Sequence, residues 1–146
     1  MQKESFRCQC PITSALDILG DKWSLVVVKQ MLFEGKYTFK DFAESPESIA
    51  TNILSTRLKT LEEYGLIEKL KHPTNKKTNI YVLTAKGLAL TPVLIEFTLW
   101  SRHHVIEFNP ELNLDFQLEE VEKNKERAFE QVIEQYKSAT NKLFTS

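Results

Sequence analysis

The chain of 146 residues is poor in glycine, with four, and has only two cysteines and three histidines. So few glycines leave no Gly-rich loop to cradle a phosphate. No nucleophile motif accompanies them, so neither an enzyme nor a bound cofactor is expected. Cys8 and Cys10 stand as C-x-C, too little for a disulfide framework. His72, His103 and His104 do not fall at ligand spacing from that pair, so no metal site is expected. Apolar runs such as Leu25–Val28 are short, far below the ~20 residues that a membrane helix needs. No basic-then-apolar leader is visible, and a cytoplasmic location is the expectation.

What is present is a composition suited to one globular domain, with room for a helical extension. Net charge is −1, so bulk charge announces no polyanionic partner. Its distribution says more. Over residues 1–104 Lys and Arg outnumber Asp and Glu by 14 to 11; over residues 105–146 they are outnumbered 5 to 9. A mildly basic body with an acidic tail fits a binding domain followed by a separate extension.

Apolar spacing predicts a helix over Pro11–Leu19, closed by Gly20. Asp21 then caps a helix from Lys22 to Phe33, with Trp23, Val26, Val27, Gln30 and Met31 on one broad face. Thr38 and Asp41 form a capping-box start for a short helix to Glu44, and Pro46 breaks it. The next helix runs from Ala50 to Tyr64. Leu54, Leu58 and Leu61 share a narrow arc, and Gly65 ends it as a C′ glycine. No side chain at Ala50 can cap this helix, so Ser48 or Thr51 is expected to do so. Strands at Leu66–His72 and Ile80–Leu83 flank a tip of Pro73–Asn79. Thr84 caps a helix from Ala85 to about His104, where Pro92 marks a kink or two shorter helices. After Asn109-Pro110 a last helix is expected from about Asp115. Leu118, Val121, Ala128, Val132, Ala139 and Leu143 lie there near heptad spacing, with Lys125 in the seam.

Thr38–Thr84 thus reads as a helix-turn-helix followed by a β-hairpin wing. Opposite the leucine arc lie Thr51, Asn52, Ser55 and Thr56, small polar and amide side chains of the kind that touch base edges. Arg57, Lys59, Lys71, His72, Asn75, Lys76 and Lys77 are suited to the phosphate backbone. A solvated helix face would look the same taken alone. The basic hairpin beyond it tilts the reading toward double-stranded DNA. Trp23 and Trp100 read as core or interface aromatics.

Cys10-Pro11, Ala15 through Trp23, Phe39-Lys40-Asp41-Phe42, Ile49–Leu54, Arg57-Leu58, Leu61-Glu62, Gly65-Leu66-Ile67 and Tyr81–Thr84 with Gly87, Leu90, Pro92 and Trp100 form an ordered string of motifs. Over roughly residues 8–104 that string resembles the HxlR-type winged-helix regulators, related in fold to the MarR-like group. The resemblance implies a mainly α fold with a small β-hairpin wing, a winged helix-turn-helix with N-terminal and C-terminal dimerisation helices. It implies a bacterial transcriptional regulator, expected to be a repressor, that binds a two-fold related operator as a homodimer. The DNA-binding domain would be residues 8–104. Residues 105–146 would be a helical extension associated with the dimer. Ile12, Leu16, Leu94, Phe97 and Trp100 are the expected interface. Cys10 stands where such proteins commonly carry a cysteine before proline, and some sense oxidants or electrophiles there. Cys10 is therefore a candidate redox sensor with Cys8 as a possible partner, or a plain thiol at the dimer interface. A small-molecule effector is the other possible signal. The alternative function is a winged-helix module that binds a partner protein without specific DNA binding.

Overall fold

A computed structural model describes residues 6–114 and 117–145. In chain order its elements are α1 (Pro11–Leu19), α2 (Ser24–Glu34), α3 (Phe39–Ala43), α4 (Thr51–Glu63), β1 (Ile67–Lys71), β2 (Asn79–Leu83), α5 (Ala85–Leu88), α6 (Thr91–His104), α7 (Leu118–Lys123) and α8 (Lys125–Thr145). The chain divides into two compact units between Leu88 and Ala89.

In the first unit, local chemistry sets most of the boundaries. Pro11 occupies the first turn of α1, where its missing N–H costs nothing. The Asp21 carboxylate accepts the amides of Trp23 and Ser24, each at 2.9 Å, so α2 starts two residues later than its periodicity predicts. Thr38 and Asp41 cap α3 reciprocally, as the spacing predicts. At the end of α4, Gly65 takes φ +78°. The Leu66 amide bonds the Leu61 carbonyl and the Gly65 amide bonds the Glu62 carbonyl, which satisfies two orphan carbonyls and turns the chain into β1.

The core of this unit is built from Val27, Val28 and Met31 of α2, Phe42 of α3 and Leu54, Leu58 and Leu61 of α4. Ile67, Ile80 and Leu83 of the hairpin complete it. Burying each of the three α4 leucines stabilises by roughly 1.5–3 kcal/mol, far more than helix propensity could. The strands pair antiparallel from Ile67–Leu83 to Lys71–Asn79. The Tyr81 amide donates to Tyr37 O at 2.8 Å, so the free edge of β2 is held by the segment entering α3. Phe42 meets the Tyr81 ring edge-on at 6.2 Å.

The long helix expected after Thr84 is two helices, one of the two arrangements that Pro92 allows. Thr84 caps α5 by accepting the Gly87 amide, and its hydroxyl donates to Gly65 O. Pro92 lies in the first turn of α6, where proline starts a helix rather than kinking one.

In the second unit the single last helix expected from about Asp115 is also divided. Asp115 and Phe116 lie outside the described residues, and α7 and α8 part at Asn124, whose Oδ1 accepts the Arg127 amide. Asn124 favours a cap over helix interior because its side chain competes for backbone donors. Lys125, expected in a heptad seam, instead reaches Glu96 of α6 at 3.0 Å. At the other end of α6, Arg102 and His103 contact Glu122 of α7. Among the described residues no helix is long and apolar enough to cross a membrane.

Gly87 lies against the Leu66 backbone so closely that a Cβ there would run into the Leu66 carbonyl oxygen. Gly87→Ala is expected to destabilise the chain by about 1–3 kcal/mol, read as a shifted denaturant midpoint with an unchanged m-value.

Candidate nucleic-acid interface

Burial of Leu54, Leu58 and Leu61 fixes the rotation of α4. Thr51, Asn52, Ser55, Thr56 and Lys59 are in consequence all exposed, on the far side of a helix with 3.6 residues per turn. The Thr56 hydroxyl donates to Asn52 O at 3.0 Å, so its proton is engaged by the helix backbone. Neither Ser48 nor Thr51 caps α4, contrary to expectation. Ala50 is the N-cap and no side chain bonds the first-turn amides. Ser48 sits in the left-handed region at φ 58°, and its hydroxyl donates back to Pro46 O, so it is spent on the turn.

That turn is tied to α2 by groups whose partnership the sequence reading did not identify. Lys29 Nζ bridges Glu34 and Glu47, both at 2.6 Å, and Gln30 Nε2 donates to Glu47 Oε1 at 2.8 Å. Gln30 is fully buried. An amide on the apolar face of α2 was the one signal in the sequence that α2 grips something polar. Burial raises the Glu47 pKa, but bonds from Lys29 and Gln30 outweigh it and hold the carboxyl below its ordinary value.

Arg57 differs from its neighbours. Its Nε is enclosed and lies 3.4 Å from Asp21 Oδ2, while 32% of the side chain stays exposed. It does not stand free among the groups expected to meet a phosphate backbone.

In the wing, Lys76 and Lys77 are exposed at the tip, and the other expected contacts shape it. Asn75 Oδ1 accepts the Lys77 amide, His72 Nδ1 accepts the Thr74 amide, and Lys71 Nζ donates to Asn79 Oδ1 at 3.0 Å. The Tyr37 ring lies 6.3 Å from the His72 ring. His72, Asn75 and Lys71 therefore fix the loop that projects the two lysines.

At the start of the chain Cys8 and Cys10 are both exposed free thiols. Cys10 is the N-cap of α1, and its thiol makes no full capping bond. The Thr13 amide, the Thr13 hydroxyl and the Ile12 amide nonetheless favour the thiolate and lower the Cys10 pKa, as expected at a helix N-terminus. No residue of α1 is buried; Ile12 is 72% and Leu16 52% exposed. On α6, Val93, Phe97 and Trp100 form an exposed apolar stripe. Leu94, expected in the same interface, is only 7% exposed. Helix phase carries it about 100° from Val93 to the inner face, where it is not available to a partner.

The HxlR-like helix-turn-helix family model matches residues 18–108. The chain belongs to this family. It is an HxlR-type helix-turn-helix transcriptional regulator, mostly helical with a two-stranded antiparallel hairpin as its wing. The regulator YodB of Bacillus subtilis (strain 168) is 34% identical over 93 residues, covering 63% of this chain and 82% of YodB. Its quinone-bound structure superposes with a TM-score of 0.54 at 31% identity, over 65% of this chain and 99% of that one. The redox regulator HypR in its oxidised form gives 0.58 at 27% identity, over 65% of this chain and 97% of that one. The crystal structure of PA1607 gives 0.62 at 32% identity, over 75% of this chain and 70% of that one. The HxlR match stops at residue 108, so α7 and α8 are additions to it.

With Cys8 replaced by serine, the pH midpoint for Cys10 alkylation by iodoacetamide is expected below that of an ordinary thiol. Thr13→Val removes one of the groups favouring the thiolate and should move the midpoint up, measured by mass spectrometry across a pH series.

Proposed function

We propose that this HxlR-type regulator binds its operator as a homodimer, acts as a repressor, and takes its signal at Cys10. The observation that carries the reading is the outward face of α4, where Thr51, Asn52, Ser55 and Thr56 stand together in a unit that also projects Lys76 and Lys77. In this reading α4 enters the major groove, and Asn52 pairs with an adenine through its amide. Lys59, Lys76 and Lys77 hold phosphates, while Lys71, His72 and Asn75 support the wing. The DNA-binding region is residues 8–104, and residues 105–146 associate with the dimer. The exposed apolar faces of α1 and α6 support a second copy as partner, since open patches of this kind mark protein interfaces. A two-fold dimer places its half-sites one helical turn apart, ~34–36 Å. The protein acts in the cytoplasm, where the operator is.

The favoured thiolate at Cys10, together with the quinone-bound state of YodB and the oxidised state of HypR, supports an electrophile or an oxidant as the signal. A thiolate adds to an electrophilic ring carbon of a quinone, forming an S–C bond. The displaced electron pair moves to the quinone oxygen, which takes a proton from water. With hydrogen peroxide, two thiolates of different protomers form one S–S bond; their two electrons break the O–O bond, and two protons from solvent complete its reduction to two waters.

Binding to a duplex carrying the region upstream of its own coding sequence tests this reading. Asn52→Ala should cost about 1–3 kcal/mol of discrimination at one base pair. Lys76→Ala with Lys77→Ala should weaken all duplexes alike and reduce the salt slope by about four, since the dimer loses two lysines from each of its two wings. Absence of any mobility shift at low salt would instead favour a winged-helix module that binds a partner protein. Cys10→Ser should abolish the response to quinone, and an unchanged response would remove Cys10 from the mechanism.

A further inference from the structure

Asp21 follows directly on Gly20, the residue that closes α1, and its carboxylate serves two elements at once. Oδ2 accepts the Trp23 and Ser24 amides at the start of α2, and Oδ1 accepts the Ser24 hydroxyl. The same Oδ2 faces Arg57 Nε of α4 at 3.4 Å. Nε is enclosed and makes no aligned hydrogen bond, so the contact is one of charge. Among the described residues no other carboxylate lies within ion-pair reach of Arg57. Burial raises the Asp21 pKa, but the Ser24 hydroxyl, the two amides and Arg57 outweigh it, so the carboxyl stays ionised at neutral pH. Ser24 is fully buried, which makes this anchor a fixed one. Arg57 lies within one to two turns of Asn52, Ser55 and Thr56 on α4. A tether at that point sets where those side chains stand relative to the α1–α2 corner.

We infer that the Asp21–Arg57 pair positions the recognition helix, and that Arg57 is a positioning residue rather than a phosphate ligand. The inference rests on the DNA-binding reading of α4. It makes opposite predictions from a phosphate role. Were Arg57 a phosphate ligand, Asp21 would compete with DNA for it, and removing the Asp21 charge would tighten binding. As a positioning pair, the same change loosens it.

Asp21→Asn separates the two, because asparagine keeps the capping acceptor while losing the charge. Anisotropy titrations with the upstream duplex, across a salt series, would compare the wild type, Asp21→Asn, Arg57→Gln, the double variant and the Lys76→Ala/Lys77→Ala control. Each single variant should weaken binding about tenfold with the salt slope unchanged, and the double variant no more than either single. Tighter binding by Asp21→Asn, or a slope lowered by about 1.8 in Arg57→Gln, about 0.9 for each protomer, would overturn the inference. Hydrogen exchange on the free chain reads the same claim without DNA. Both variants should speed exchange in the first half of α4 and leave α2 protected as in the wild type. Unchanged exchange in α4 overturns the positioning role whatever the titrations give. A wild type that binds no duplex, with exchange in α4 altered as expected, would instead remove the DNA reading and leave the tether standing.

Discussion

The seating of three leucines decides what this molecule presents. Leu54, Leu58 and Leu61 are buried together, and α4 can lie only one way once they are. Everything polar on that helix is then sorted by geometry. Thr51, Asn52, Ser55, Thr56 and Lys59 face outward because the opposite arc is taken. Rotating α4 by one residue, about 100°, would expose the leucines to water and turn either Ser55, Lys59 and Glu62 or Arg57 and Thr60 toward the core without partners, and each of those costs several times RT. The interface thus needs no special fold of its own; it is the remainder of a packing problem.

Polar ties refine what packing leaves loose. Glu47, held by Lys29 and Gln30, fixes the turn that delivers the chain to α4. Gly65 and Leu66 lock the other end into β1. Between these ends lies the Asp21–Arg57 contact. Hydrophobic burial alone tolerates small slides and rolls, since dispersion is weakly directional. Charge pairs and capping bonds are not so tolerant. A regulator that discriminates base sequences through a handful of side chains needs the second kind of constraint as well as the first.

Elements with local causes were legible in the sequence. Pro11 and Gly20 bound α1, Thr38 and Asp41 box α3, and Gly65 stops α4, because each acts within four residues of itself. The outward face of α4 and the basic wing tip were legible for the same reason: 3.6-residue and hairpin spacing place them. What was not legible depends on distance along the chain. The Asp21–Arg57 and Lys29–Glu47 contacts join residues far apart in sequence, and no periodicity points at them. Arg57 consequently looked like one more basic group on a DNA face. Val93, Leu94 and Ile95 are equally apolar, so composition leaves the phase of α6 open and does not show that Leu94 rather than Val93 is buried. The break at Asn124 leaves no mark in the apolar pattern, which runs on across it.

In the proposed homodimer two copies of α4, each with its wing, meet one operator. Hydroxyl-radical footprinting of the wild-type chain on its own upstream duplex tests it most directly. A homodimer should give two protected windows, about 10 base pairs apart and related by a two-fold axis, each lost in step with the other as protein is diluted. A single window, or no protection at low salt, would contradict it.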